Sequence, residues 1–355
     1  TGTIEHDGSE RDYLIYLPTG YDDANTYPFV YNLHGFGSNA FQQQFYSDMN
    51  TTADENGFIV CYPNGLSSSW NVGWQFGSIA DDVDFLVTLI DSLSDMYSID
   101  NDRLFSCGMS NGGFMSYRLA CEQSDVFAAV ASVTGSIVPS QLQICDPDRS
   151  MPVMQIHGTD DPTVAYDGSA IAVPIEDVVQ YWADLNNCSL TPDTIAVDNI
   201  DTQDESTAER ITYKDCADDV EVVFYRIEGG AHTWPDAAIS IAVTNKDFNA
   251  SQEIWNFFSR YDINGVITSD GAKMYSPYIT RVYPNPVNDV LTVEALPSST
   301  QSIVVYDAAG RVVHTHQGLS ADNKMVVDVE DFESGVYIIA IEAGKKAEVL
   351  KFVKY

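Results

Sequence analysis

Between Arg11 and Tyr261, short and nearly continuous apolar runs alternate with stretches whose apolar residues recur every three or four positions. That alternation leaves few folds open. The runs Tyr13–Leu17, Phe29–Leu33, Phe58–Tyr62, Leu104–Cys107, Ala128–Val133, Val153–Ile156 and Val222–Ile227 predict strands. Val83–Leu93, Gly113–Cys121, Glu176–Leu185 and Gln252–Arg260 predict helices. Strands without a polar face need cover on both sides, so the pattern predicts an α/β domain over 1–261 with a mostly parallel sheet between helical layers. After Tyr261 the period changes. Residues 262–277 show no clear period and predict a linker. Beyond it Val290–Val293, Ile303–Tyr306, Arg311–His314, Met325–Val329, Gly335–Ile341 and Glu348–Val353 are separated by turn residues (Asp307 to Gly310, Glu342 to Gly344). Such spacing predicts a small all-β sandwich over 278–355.

Charge narrows the partners. The 355 residues carry 52 acids against 17 bases, a formal net charge of −35. The segment after Pro277 has seven bases and ten acids, a net of −3, which leaves −32 for the rest. A field of that sign repels phosphate backbones and anionic lipid, which argues against nucleic-acid or membrane-surface partners. No apolar run approaches a membrane span and no charged-then-apolar leader stands at Thr1, so the chain is read as soluble and processed. A solvated surface is the ordinary account of the acids.

The six cysteines are too dilute for a disulfide scaffold. Cys121 follows a predicted helix and Cys145 lies in a loop, while Cys188 and Cys216 flank an irregular polar segment. These positions suit two loop-stapling bridges, 121–145 and 188–216, in an oxidising compartment. Cys61 and Cys107 sit inside apolar runs and read as buried free thiols.

Gly108-Met109-Ser110-Asn111-Gly112 is the single GxSxG of the chain. The pattern alone is weak, but an apolar strand ends at Gly108 and a helix begins at Gly113. A sharp strand-to-helix turn needs glycines where side chains would clash, and it projects the serine hydroxyl above a sheet. A glycine-rich turn with a passive serine is the plain alternative. A serine nucleophile needs a base. His6 is terminal, and His314 and His316 lie in the β segment. His34 and His157 each end a strand and precede glycine, which suits structural imidazoles. His232 remains, in the loop after Val222–Ile227. The acid belongs between Ser110 and His232, just beyond a strand, where Asp160 and Asp161 stand side by side; Asp161 is favoured because Pro162 pins the turn. An oxyanion needs two backbone N–H donors. Asn111, after the nucleophile, supplies one. Phe36, in the Leu33-His34-Gly35-Phe36-Gly37 loop, is the choice for the other. Trp70, Trp74, Trp234 and Phe36 are candidates for an aromatic acyl pocket, with ordinary core packing of two of them an equal alternative.

These residues carry a family resemblance. Leu33-His34-Gly35, Tyr62-Pro63-Asn64-Gly65 with Trp70-Asn71, Asp82-Val83-Asp84-Phe85, Gly108 to Gly113, Tyr117 to Glu122, His157 to Asp161 and His232-Thr233-Trp234-Pro235 occur in family order. Together they resemble the polyhydroxybutyrate depolymerase / feruloyl esterase family of secreted α/β-hydrolases, over about 3–261. The resemblance implies an α/β-hydrolase fold, a catalytic Ser110, Asp161 and His232, and bridges Cys121–Cys145 and Cys188–Cys216. In the family's sheet order the Phe29–Leu33 strand separates Cys61 from Cys107, roughly 9–10 Å apart and beyond disulfide reach. Phe36 and the crowd of acids depart from the family pattern and leave the substrate open.

Val282-Tyr283-Pro284-Asn285-Pro286, Val305 to Arg311, Ser334-Gly335-Val336-Tyr337 and Lys351-Phe352-Val353-Lys354 resemble the C-terminal sorting domain of the type IX secretion system. That implies export across an outer membrane, with the product secreted or surface-attached. A carbohydrate-binding sandwich is the alternative, but the segment holds no tryptophan for a binding face.

The expected function is a secreted serine carboxylic-ester hydrolase acting on aromatic, feruloyl-type esters or polyesters. Aliphatic esters, acetylated xylan or hydroxyalkanoate polyesters remain open as substrates, and a surface binding protein that lost catalysis is the rival outside enzymes. Expected partners are an ester substrate and the type IX machinery, with no membrane insertion. No cofactor is expected. No metal is expected either: the runs Asp81-Asp82-Val83-Asp84 and Asp215 to Asp219 lack EF-hand spacing and read as solvated acids.

Overall fold

Ten strands join in one sheet in the computed structural model of the chain, which describes residues 1–267, 281–283, 285–294, 300–307, 311–317, 325–343 and 346–355. The strands are β1 (Gly2–His6), β2 (Ser9–Tyr16), β3 (Tyr27–Leu33), β4 (Ile59–Pro63), β5 (Ile99–Met109), β6 (Ala129–Val133), β7 (Val153–Gly158), β8 (Asp193–Ala196), β9 (Thr207–Tyr213) and β10 (Val222–Glu228). Their order is β1-β2-β4-β3-β5-β6-β7-β10-β9-β8. The six central strands, from β4 to β10, run parallel. Antiparallel strands extend both edges. All seven predicted strands are present. The predicted polar segment between Cys188 and Cys216 instead supplies β8 and β9. Edge strand β8 is exposed throughout, so it carries no apolar signal.

The helices are α1 (Ala40–Ser47), α2 (Met49–Asn56), α3 (Asp82–Ser94), α4 (Asn111–Glu122), α5 (Pro139–Leu142), α6 (Ile175–Leu185) and α7 (Ala250–Phe258). Alternate residues of β3 face opposite layers. Val30 packs with α1, α2 and α7, whereas Phe29, Tyr31 and Leu33 pack with α3 and α4. Phe58 stacks on Trp255 at 4.1 Å and Phe105 on Phe258 at 4.8 Å in the first of these cores. Truncating any such ring to alanine costs about 3–5 kcal/mol. Helix α6 covers Val153, Val222 and Phe224 on the other face.

Helix α1 escapes the periodicity reading for a physical reason. It buries Gln43 and Ser47 and exposes Phe41 and Phe45. Gln43 Nε2 donates to Asn32 Oδ1 at 2.8 Å, and Asn32 Nδ2 donates to Ser47 Oγ at 2.9 Å, so a polar pair replaces the usual apolar seam.

Bridges join Cys121 to Cys145 and Cys188 to Cys216. Cys61 and Cys107 are free and buried, and burial pushes both thiols up. Across β3, Tyr31 pairs with Cys61 and Asn32 with Cys107. Neighbouring residues of a strand point to opposite faces, so the thiols are separated by the sheet as well as by a strand.

The chain divides into two compact units, Thr1–Ala272 and Lys273–Tyr355. The first residues of the expected linker, from Asp262, take part in a strand pair. Strands β11 (Tyr261–Asp262) and β12 (Gly265–Val266) form a ribbon, and Ile263 N–H donates to the Asp102 carbonyl at 2.8 Å. From 268 the expected linker lies outside the described residues, as do Pro284, the turn residues 308–310 and Gly344.

Among the described residues of the second unit, the named strands all pair antiparallel. One sheet holds β13 (Arg281–Tyr283), β14 (Val290–Glu294) and β17 (Met325–Asp328). The other has the order β16-β15-β18-β19, from β15 (Thr300–Asp307), β16 (Val312–Gln317), β18 (Gly335–Ala343) and β19 (Lys346–Lys354). Leu291, Val293, Ile303, Val305, Tyr337, Ile339 and Phe352 fill the space between them.

Candidate active site

Ser110 stands between the end of β5 and the start of α4 with φ 53° and ψ −120°, a backbone conformation that costs on the order of 1–3 kcal/mol for a residue with a side chain. The flanking glycines follow from space. A Cβ on Gly112 would lie 2.1 Å from the Leu33 carbonyl oxygen, and one on Gly108 would lie 2.6 Å from the same atom. The turn is therefore wedged against the carboxyl end of β3, and Ser110 N–H is tied to the Val133 carbonyl at 2.8 Å.

Asp161 and His232 follow β7 and β10, which are paired neighbours. Gly158 and Gly230 touch closely enough that a Cβ on Gly158 would lie 2.0 Å from the Gly230 oxygen, and Asp160 N–H donates to that oxygen at 3.0 Å. This contact brings the two loops together. His232 Nδ1 lies 2.7 Å from Asp161 Oδ2. Asp161 is buried, and its Oδ1 accepts the N–H groups of Thr163 and Val164 at 2.8 and 2.9 Å. Asp160 is exposed and holds no such contacts. Ser110 forms no hydrogen bond with His232 among the described residues; the two share the carboxyl edge of β5, β6, β7 and β10, the edge at which open α/β sheets form their ligand crevices.

The loop after β3 closes against the serine, since a Cβ on Gly35 would sit 3.4 Å from Ser110 Cβ. Neither the Phe36 nor the Asn111 N–H donates a hydrogen bond among the described residues, whereas Gly37 N–H is taken by the Ser68 carbonyl at 2.7 Å. His34 is buried, with Nδ1 2.8 Å from the Gly35 oxygen and Nε2 accepting Gly65 N–H at 3.0 Å. Burial lowers its pKa, which keeps the ring neutral as this bonding demands. His157 is buried as well, so neither ring is exposed as a mobile base.

Two of the four pocket aromatics are corrected by burial. Trp70 and Trp234 are each 1% exposed, with Nε1 donating to the His34 carbonyl and to Ser251 Oγ, so they are interior residues and cannot present a ring to a ligand. Trp70 is held from both sides by Asn111, whose Oδ1 accepts Trp70 N–H at 2.6 Å and whose Nδ2 donates to its carbonyl at 3.1 Å. Trp74 and Phe36 remain near the surface and are joined by Phe76, which no motif marks. Phe76 stacks on Trp74 at 5.0 Å and meets Phe36 edge-on at 5.8 Å.

The acidic run Asp81 to Asp84 is not uniformly solvated. Asp82 is fully buried and pairs with Arg11 at 2.7 Å; it also accepts Asn71 N–H at 2.7 Å and the Ser78 hydroxyl at 3.0 Å. Arg11 lies over the Phe85 ring, 3.6 Å from its centroid. This pair fixes the segment that carries Trp70, Trp74 and Phe76. Among the described residues no cluster of His, Cys, Asp and Glu is placed to hold a metal ion.

Residues 11–182 match the family model for esterase PHB depolymerase, and residues 281–355 match the secretion system C-terminal sorting domain. The sorting domain marks the chain for export by the type IX system. The chain is 26% identical over 266 residues to the bifunctional acetylxylan esterase/xylanase XynS20E of Neocallimastix patriciarum, covering 74% of this chain and 35% of that protein. It is 27% identical over 240 residues to feruloyl esterase B of Piromyces equi, covering 64% and 43%. The chain thus spans less than half the length of these two relatives. The solved acetyl xylan esterase from Aspergillus awamori superposes with a TM-score of 0.50 at 18% identity, covering 63% of this chain and 89% of that one. That likeness shows a common α/β-hydrolase fold.

Proposed function

We propose that the chain is a secreted serine carboxylic-ester hydrolase in which Ser110, His232 and Asp161 form the triad. One observation carries this reading: the 2.7 Å contact of His232 Nδ1 with a buried Asp161, on the same sheet edge as a serine in an elbow conformation. With Nδ1–H donated to the carboxylate, Nε2 is left as the base. It takes the proton of Ser110 as the hydroxyl attacks the ester carbonyl, then passes it to the leaving alkoxide. Water repeats the sequence on the acyl-enzyme. The Phe36 and Asn111 N–H groups, without partners among the described residues, receive the tetrahedral oxyanion. Asp161 orients the ring and stabilises its charged form.

The half-exposed Phe36 and Phe76, with the partly buried Trp74, support an aromatic acyl group, since offset and edge-on ring contacts add about 0.5–1.5 kcal/mol beyond burial. A second reading, acetyl esters of xylan, is favoured by the acetylxylan esterases among the relatives and needs no aromatic platform. The test is hydrolysis of methyl ferulate, p-nitrophenyl butyrate, acetylated xylan and a polyester film by the full chain. Ser110→Ala and His232→Ala are expected to lower kcat by more than about 3 orders of magnitude while the fold is kept. Near-normal turnover in a folded Ser110→Ala protein overturns the mechanism, and a preference for acetylated xylan over ferulate overturns the aromatic assignment.

A further inference from the structure

Behind Asp161 the sheet carries a buried polar chain that the triad chemistry leaves unused. Gln155, in the middle of β7, has its Nε2 2.9 Å from the Gly135 carbonyl oxygen, a group that only accepts. That identifies the amide nitrogen. The same nitrogen lies 3.0 Å from His157 Nδ1, so Nδ1 accepts and the ring proton sits on Nε2. Gln155 Oε1 accepts a hydrogen bond from the Tyr117 hydroxyl at 2.6 Å. The Nε2–H of His157 then lies between the Val164 carbonyl at 2.9 Å and Asp161 Oδ2 at 3.4 Å. Asp161 Oδ2 is the oxygen that receives His232 Nδ1–H.

We propose that His157 is a positioning residue acting through Asp161: the Tyr117–Gln155–His157 chain holds a neutral N–H donor beside Oδ2 and keeps the carboxylate oriented on His232. This rests on the triad reading above. Val164 closes the arrangement, since its N–H binds Asp161 Oδ1 while its carbonyl accepts from His157. Oδ1 is thereby held by two backbone N–H groups, and Oδ2 has the His157 N–H beside it as well as His232 Nδ1. Burial pushes the His157 pKa down to about 4, so the ring stays neutral and does not cancel the charge that Asp161 offers to His232. A histidine that only filled space would be replaceable by a ring of similar size. One that supplies a donor would not.

The experiment compares His157→Phe with His157→Gln in the full chain on p-nitrophenyl butyrate. Phenylalanine keeps the volume and removes both nitrogens; glutamine restores a neutral donor and acceptor. His157→Phe is expected to lower kcat about 10–100-fold with KM changed less than about 3-fold, and His157→Gln to recover kcat to within about 3-fold of the parent. A folded His157→Phe enzyme with normal kcat overturns the proposal, as do equal losses in both variants. An inactive Ser110→Ala beside a normal His157→Phe removes His157 alone and leaves the triad standing. If His157→Phe does not fold, histidine ¹⁵N NMR of the parent decides. The signal missing from His157→Gln must be a neutral Nε2–H ring at about pH 6. An Nδ1–H or protonated ring there overturns the assignment.

Discussion

Replacing Asp82 by Asn removes a charge from the interior without changing its shape. The Arg11 side chain is 1% exposed, and its remaining partners are the Asn64 carbonyl at 3.3 Å and the face of Phe85. Its Nε and Nη1 already lack acceptors among the described residues. Asp82→Asn therefore strands a buried cation, at a cost of about 3–5 kcal/mol. Arg11→Met is the milder change, about 2 kcal/mol, because Asp82 keeps Asn71 N–H and the Ser78 hydroxyl. The double variant holds no unpaired buried charge and is expected to be more stable than Asp82→Asn alone. All five tryptophans lie within the first unit, so their fluorescence in urea, with disulfides intact, follows its unfolding. At about 2–4 °C per kcal/mol, Asp82→Asn should lower Tm by roughly 10 °C. Because Asn71 adjoins Trp70, and Trp74 and Phe76 follow on the same segment, the variant should also raise KM for methyl ferulate more than for p-nitrophenyl acetate. A loss below about 1 kcal/mol, or Arg11→Met proving the worse substitution, refutes the reasoning.

Acid should weaken the fold through His157. Its folded pKa is depressed to about 4 from an unfolded value near 6.5, so the unfolded chain takes up that proton first. The contribution is whole above about pH 6.5 and is lost as pH falls toward about 4, by at most about 3 kcal/mol; equal pH slopes of Tm in the parent and His157→Gln would contradict this. Converting both Cys121 and Cys145 to Ala opens a bridge across a sequence separation of 24 and should cost about 3 kcal/mol in urea unfolding, with an unchanged midpoint as the adverse result. With a net charge of −35, Tm is expected to hold or rise as NaCl increases to about 0.5 M at neutral pH, since screening relieves repulsion among acids that 17 bases cannot pair; a steady fall would show that the acids are locally compensated.

What the sequence alone determines is whatever rests on local pattern. Period and turn chemistry mark the central strands, four of the helices and the change to β structure after Tyr261. The spacing of Gly108, Ser110 and Gly112 announces the elbow, because a backbone wedged at 2.1–2.6 Å against Leu33 tolerates no Cβ and so writes itself as glycine. The Asp161–His232 contact is legible too, as each residue follows a strand and few histidines compete. Tertiary structure decides what depends on which way a side chain faces. Phe41 and Phe45, apolar and four residues apart, are exposed, while Gln43 and Ser47 are buried through Asn32. Trp70 and Trp74 stand four residues apart, and only packing separates an interior anchor from a surface ring. Asp82 reads as one acid among three until Arg11, 71 residues earlier, is folded onto it. Hydrogen bonds and burial pair residues distant in sequence, and composition carries no record of those pairings; they exist once the sheet has brought β2, β3, β5 and β7 into register.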